Sequence, residues 1–142
     1  MPLLSRRFVL AASFSIAACL GCGDGRPTRV PVSGQVTIDG QPLQFGSVLF
    51  KIEGGRSAGA SLDKDGRYQL TTYEPGDGVM VGEYKVAITG NEPIGETAAK
   101  WHAPKKYQDV TTSGLTATVD GPRDDLDFEL TWDGGKPFVE KF

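Results

Sequence analysis

Apolar and polar residues alternate with a period of two through most of this chain, and that pattern demands strands. Val32, Gly34, Val36 and Ile38 alternate with Ser33, Gln35 and Thr37, and Val48, Phe50 and Ile52 with Ser47, Leu49 and Lys51. Such spacing puts the apolar side chains on one face of a strand and the polar ones on the other. A weaker strand covers Ser57 to Leu62, and Tyr68 to Thr71 follows as another. Tyr84, Val86 and Ile88 share one face of a fifth, and Leu115, Ala117 and Val119 one face of a sixth. Leu126, Phe128 and Leu130 complete a seventh, alternating with Asp125, Asp127 and Glu129. Between them lie the turn dipeptides Asp39-Gly40 and Asp65-Gly66, the second within Asp63-Lys64-Asp65-Gly66. Nineteen Gly and nine Pro fit many tight turns and would break helices, and no stretch of ten residues carries a helical apolar stripe. Seven short strands with turns between them predict an all-β, antiparallel sandwich.

The N-terminal residues carry a different kind of signal. Arg6 and Arg7 precede the apolar run Phe8 to Ala18, which ends in Ile16-Ala17-Ala18-Cys19-Leu20-Gly21-Cys22. A charged start, a short apolar run and small residues before a cleavage point form an export signal. The run is too short for a transmembrane helix, which needs about 20 apolar residues. A cysteine directly after the small residues resembles the lipobox of bacterial lipoproteins, in which the thiol is acylated and the signal removed. An ordinary signal peptide without lipid is the alternative. The chain has no cysteine beyond Cys19 and Cys22, so neither can form a disulfide except with the other. A Cys-x-x-Cys redox pair would open a helix beside a strand, whereas Gly and Asp follow here. Cys19, with Ile, Ala and Ala before it, is the better lipidation site, and Cys22 the alternative. Ser5-Arg6-Arg7-Phe8-Val9-Leu10 also resembles a twin-arginine export motif, although paired arginines are common in this position. The expected division is a lipoprotein signal peptide at 1–18, a lipidated cysteine and polar tether at 19–29, a sandwich at 30–131 and a C-terminal tail at 132–142.

Loss of residues 1–18 leaves 124 residues, enough for one domain. The balance becomes 13 basic against 18 acidic residues, a net charge of about −5. That argues against nucleic acid as a partner and against a polybasic membrane patch, leaving lipid as the expected hold on a bacterial cell membrane, on its periplasmic or outer face.

Several motifs inside the domain resemble a known family. Val32-Ser33-Gly34-Gln35-Val36-Thr37 with Asp39-Gly40-Gln41-Pro42-Leu43 looks like the opening of carboxypeptidase regulatory-like domains. Asp65-Gly66-Arg67-Tyr68-Gln69-Leu70 and Pro75-Gly76 with Gly82-Glu83-Tyr84-Lys85-Val86 are similar to its later turns and strands. Pro104-Lys105-Lys106-Tyr107 and Ser113-Gly114-Leu115 match segments of small bacterial lipoproteins built from one such domain. The resemblance spans roughly residues 30–131. It implies a seven-stranded, transthyretin-like Greek-key sandwich of the prealbumin type. It implies little about activity, because in metallocarboxypeptidases this module sits beside the catalytic domain and carries no catalysis.

Candidate chemistry is sparse. Asp63-x-Asp65-Gly66 has the start of a calcium loop but lacks the third oxygen ligand and the distant Glu. The plainer reading is a hairpin turn, as for Asp39 and Gly40, in which Asp accepts backbone N–H bonds and Gly takes positive φ. His102 is the single histidine and has no partner at metal-ligand spacing. Asp124, Asp125 and Asp127 read as a solvated strand face. A Lys–Asn isopeptide cross-link is not expected, since the first strand lacks Lys and the last lacks Asn. Residues 90–112 show no clear period, and a long irregular segment in a small domain is often functional. Trp101, His102, Lys105, Lys106 and Tyr107 make it a candidate binding loop for a glycan, solute or envelope protein. The competing reading is that Trp101 and Tyr107 fasten the loop over an open sandwich edge. The expected function is a non-catalytic, membrane-anchored binding or structural module with no metal and no cofactor. The alternative is a solute-, glycan- or metal-binding accessory protein using the 90–112 loop.

Overall fold

The computed structural model describes residues 25–142; the expected signal peptide, Cys19 and Cys22 lie outside the described residues. Two sheets face each other across an apolar core. The first is organised around β1 (Ser33–Ile38), which makes the two-residue Asp39-Gly40 turn into β2 (Gln41–Pro42). Asp39 and Gly40 have φ of 47° and 80°. Positive φ at both central residues gives the backbone twist that a tight hairpin needs, and Asp and Gly tolerate it best. β3 (Ser47–Lys51) and β4 (Ala58–Ser61) come next, then β5 (Arg67–Gln69), which pairs antiparallel with the first half of β1.

The second sheet is completed by β6 (Gly82–Thr89) and, further on, β9 (Leu115–Val119); its order is β4-β3-β6-β9, antiparallel throughout. Between them lie β7 (Asn91–Ile94), β8 (Ala98–Trp101) and a single 3-10 turn, Lys105–Gln108. β10 (Phe128–Leu130) returns to the first sheet and runs parallel to β1, with Val36 opposite Phe128. β11 (Phe138–Lys141) pairs antiparallel with β8, giving a third, small sheet in the order β11-β8-β7.

Most of the core comes from the apolar sets that alternation picked out, with Leu43, Val79, Ala103 and Tyr107 added from outside them. Val32, Val36 and Ile38 from β1 and its approach meet Val48, Phe50, Tyr84, Val86 and Ile88 from β3 and β6. Phe50 is fully buried, and its ring centroid lies 5.7 Å from Tyr84, 5.9 Å from Phe128 and 6.2 Å from Tyr68. Tilted and edge-on rings at such distances add to the burial energy of each aromatic.

The seven alternating segments become β1, β3, β4, β5, β6, β9 and β10, but the described residues hold eleven strands in three sheets, not seven in two. The additional four are short and carry little alternation. β2 has two residues, β7 and β8 lie in the stretch without a period, and β11 lies in the segment expected to be a tail. One pairing, β1 with β10, is parallel where antiparallel strands were expected. Strand direction depends on the route of the chain between the two strands, which neither segment's own pattern records.

Candidate functional site

The segment 90–112 is a folded element tied to the sandwich from both ends. The β7–β8 hairpin sets Asn91 opposite Trp101 and Ile94 opposite Ala98. After β8 the His102 N–H donates to the Gly90 carbonyl, and the side chain of Ala103 is fully buried in the main core. Tyr107 follows on the 3-10 turn and is 6 % exposed. Its hydroxyl lies 3.3 Å from the Thr131 carbonyl oxygen and 3.2 Å from the Thr131 N–H, bridging to the end of β10. Ser113 closes the segment by donating to the Val86 carbonyl of β6.

Of the five candidate binding residues, the two aromatic ones are therefore inside. Trp101 is 6 % exposed and stacks on Phe138 of β11 at 6.3 Å and an interplanar angle of 17°. Its indole Nε1 donates to Glu140 Oε2 at 3.0 Å, and the Lys105 ammonium sits 5.0 Å from its ring centroid. The Lys105 ammonium also donates to the other oxygen of Glu140. Those hydrogen bonds, from Lys105 first and then Trp101, hold the Glu140 carboxyl below the usual carboxylate range. Trp132 meets Phe138 edge-on at 6.3 Å and completes an aromatic stack with Trp101.

The three polar candidates reach the surface in different places. His102 Nε2 lies 2.8 Å from Glu92 Oε2 of β7, and its ring stacks on Phe45 at 4.8 Å. Lys106 is exposed, donates to Asp133 at 2.6 Å and lies over the Tyr107 ring. The Asp133 hydrogen bond raises the Lys106 pKa above its ordinary value. Phe138, Glu140, Trp132 and Asp133 all come from the segment read as a tail, and Glu92 and Phe45 from positions without a pattern. Their one sequence signal is two aromatic residues, Trp132 and Phe138, in a stretch with no strand assigned to it.

The turn residues sit elsewhere, at the ends of the first sheet. Asp63 Oδ1 accepts the N–H groups of Asp65 and Arg67 at 2.8 and 2.9 Å, and Gly66 has a φ of 71°. Asp124, Asp125 and Asp127 are exposed, and Asp127 accepts the N–H of Gln35, within β1, at 2.8 Å. Among the described residues no group of three or more His, Cys, Asp or Glu could hold a metal ion. Among them, too, no helix is long and apolar enough to cross a membrane. Comparison with protein-family models, curated proteins and solved structures returned no match to this chain.

Proposed function

We propose that this protein is a non-catalytic β-sandwich module, carboxypeptidase regulatory-like and of the prealbumin type, anchored to a bacterial cell membrane by an acylated cysteine. In this reading it serves as a binding or structural element of the cell envelope. The observation that carries the attachment is the order Arg6-Arg7, an apolar run, and Ile-Ala-Ala immediately before Cys19, only eleven residues ahead of Val30. The fold assignment draws support from the way the seven alternating segments divide. β1, β5 and β10 form one layer and β4, β3, β6 and β9 the other, with the remaining strands as additions around a seven-stranded sandwich.

Metabolic labelling with a palmitate analogue tests the anchor. Cys19→Ser should abolish the label while Cys22→Ser leaves it intact. Label persisting on Cys19→Ser moves the anchor to Cys22, and label absent from the wild-type chain defeats the proposal. Partner capture from envelope extracts with the acylated protein then addresses what the module holds. For the 90–112 segment, burial of Trp101 and Tyr107 favours fastening over ligand stacking, since a ring already stacked on Phe138 offers little face to a sugar. A Trp101→Ala protein that loses stability but keeps its envelope partners supports that view. Loss of glycan or partner binding from a still-folded variant supports the accessory-binding alternative.

A further inference from the structure

Three arginines from distant parts of the chain converge on one ring. The guanidinium carbons of Arg26, Arg29 and Arg56 lie 4.7, 4.9 and 4.9 Å from the centroid of Tyr73. Arg26 and Arg29 belong to the segment leading into the domain, Arg56 to the β3–β4 connection and Tyr73 to the loop after β5. Each is fixed from the side as well. Arg56 Nε donates to the Thr72 carbonyl at 3.1 Å, Arg29 Nε lies 2.9 Å from Asp77, and Arg26 lies 3.2 Å from Glu74. The loop that presents the ring is itself braced by hydrogen bonds. Asp77 accepts the N–H groups of Thr72, Tyr73 and Glu74 at 2.7, 3.1 and 3.0 Å, and Val30 pairs with Val79 behind it.

We propose that this arginine-clad tyrosine is a docking face for the phosphate groups of anionic phospholipids in the membrane that anchors the chain. The inference rests on the lipid-anchor reading and deepens it. Arg26 is four residues from Cys22 and seven from Cys19. At about 3.5 Å per extended residue, either anchor keeps Arg26 within roughly 25 Å of the acyl chains, and a slack tether brings it closer. Connectivity thus keeps the face close to the membrane. Its chemistry fits the headgroup layer: guanidinium forks match phosphate oxygens bidentately, and tyrosine favours the interface between water and hydrocarbon. Three arginines against the Asp77 and Glu74 carboxylates leave the face with about one net positive charge, on a mature chain whose net charge is about −5. Arg56 is exposed and Arg26 is 38 % exposed at its side chain, so phosphate can reach both.

The test uses the acylated mature protein in vesicles of phosphatidylcholine, with and without phosphatidylglycerol as about one-third of the lipid. Flotation reads the anchor, and the rate of phenylglyoxal modification of Arg26 and Arg56, followed by peptide mass spectrometry, reads docking. The protein should float with both vesicles, and both arginines should react about threefold or more slowly on the anionic ones, with protection lost as salt shortens the Debye length. Arg56→Gln should reduce protection at Arg26, and Glu74→Gln, which removes an exposed carboxylate from the face, should increase it. Flotation with both vesicles but equal modification rates overturns the docking face and leaves the anchor standing. A protein that floats with neither overturns both.

Discussion

Gly34 shows how closely this sandwich is packed at the level of single atoms. A Cβ there would overlap the Leu126 carbonyl oxygen and lie 3.1 Å from the Tyr68 hydroxyl. The space is absent because the Tyr68 hydroxyl donates to that same carbonyl across the top of β1. Gly34→Ala should therefore cost about 3 kcal/mol, read from urea unfolding, because backbone and not a flexible side chain stands in the way. Tyr68→Phe removes the side-chain donor from the Leu126 carbonyl and should cost about 2 kcal/mol by the same measurement. Burial, and then the nearby Asp127 carboxylate, pushes the Tyr68 phenol well above its ordinary range, with Arg123 opposing. The stabilisation from the neutral phenol is complete below the unfolded pKa of about 10 and is lost as pH rises beyond it. Ultraviolet titration should show Tyr68 ionising only together with alkaline unfolding. Asp77 has the opposite sign. Its burial opposes ionisation, but the N–H groups of Thr72, Glu74 and Tyr73 and the Arg29 charge outweigh it and lower its pKa. A depressed carboxyl stabilises above the unfolded pKa of about 3.9, and that contribution fades as pH falls through the lower folded value. Asp77→Asn should destabilise the protein at neutral pH by about 2 kcal/mol and flatten the acid limb of its stability curve.

At the scale of elements, the β7–β8–β11 sheet and the 3-10 turn act as one unit fastened by aromatic rings. Trp101 holds β8 to β11 through Phe138 and Glu140, and Tyr107 holds the turn to β10 through Thr131. Truncating a large buried aromatic removes both transfer energy and packing, so Trp101→Ala should cost about 3–4 kcal/mol in urea unfolding. Glu140→Gln should cost less, because Gln keeps an acceptor for the indole N–H while losing the charge that Lys105 meets. If both substitutions prove neutral, the fastening role is wrong. How much of this unit was legible in the sequence depends on the residue. Trp101 and Tyr107 read from the sequence as an edge staple or a binding pair, and both are buried. Glu140 and Phe138 carry no such signal, because a four-residue strand ending in charged residues has no period to recognise.

For the whole molecule, the division into two large sheets and one small one predicts unequal stability. The two large sheets bury the aliphatic and aromatic core between them, whereas β11 keeps Phe138 and Val139 largely exposed. Local opening free energies follow buried apolar contact, so amides of β11 and β7 should exchange well before those of β1 and β6. Native-state hydrogen exchange under increasing denaturant checks this, and simultaneous exchange of all strands would show a single cooperative unit instead. The same layout puts the Tyr73 arginine cluster at the end where the chain enters the domain, through Arg26 and Arg29.

Period-two alternation and the Asp-Gly turns determined by themselves that the domain is all-β, where seven of its strands run and which residues fill most of the core. The reason is physical: a strand buried on one face must place apolar side chains at every second position. The residues around Cys19 likewise carry the expectation of export and acylation, since that signal is linear and needs no fold. Only the tertiary structure decided that β10 runs parallel to β1, that 90–112 is a hairpin and a turn, and that Phe138 and Glu140 close over Trp101. It alone gathered Arg26, Arg29 and Arg56 on Tyr73. These arrangements join residues up to 92 positions apart, as Gln35 and Asp127 are. Contacts of that kind arise from how whole sheets pack, and no local pattern of apolar and polar residues encodes them.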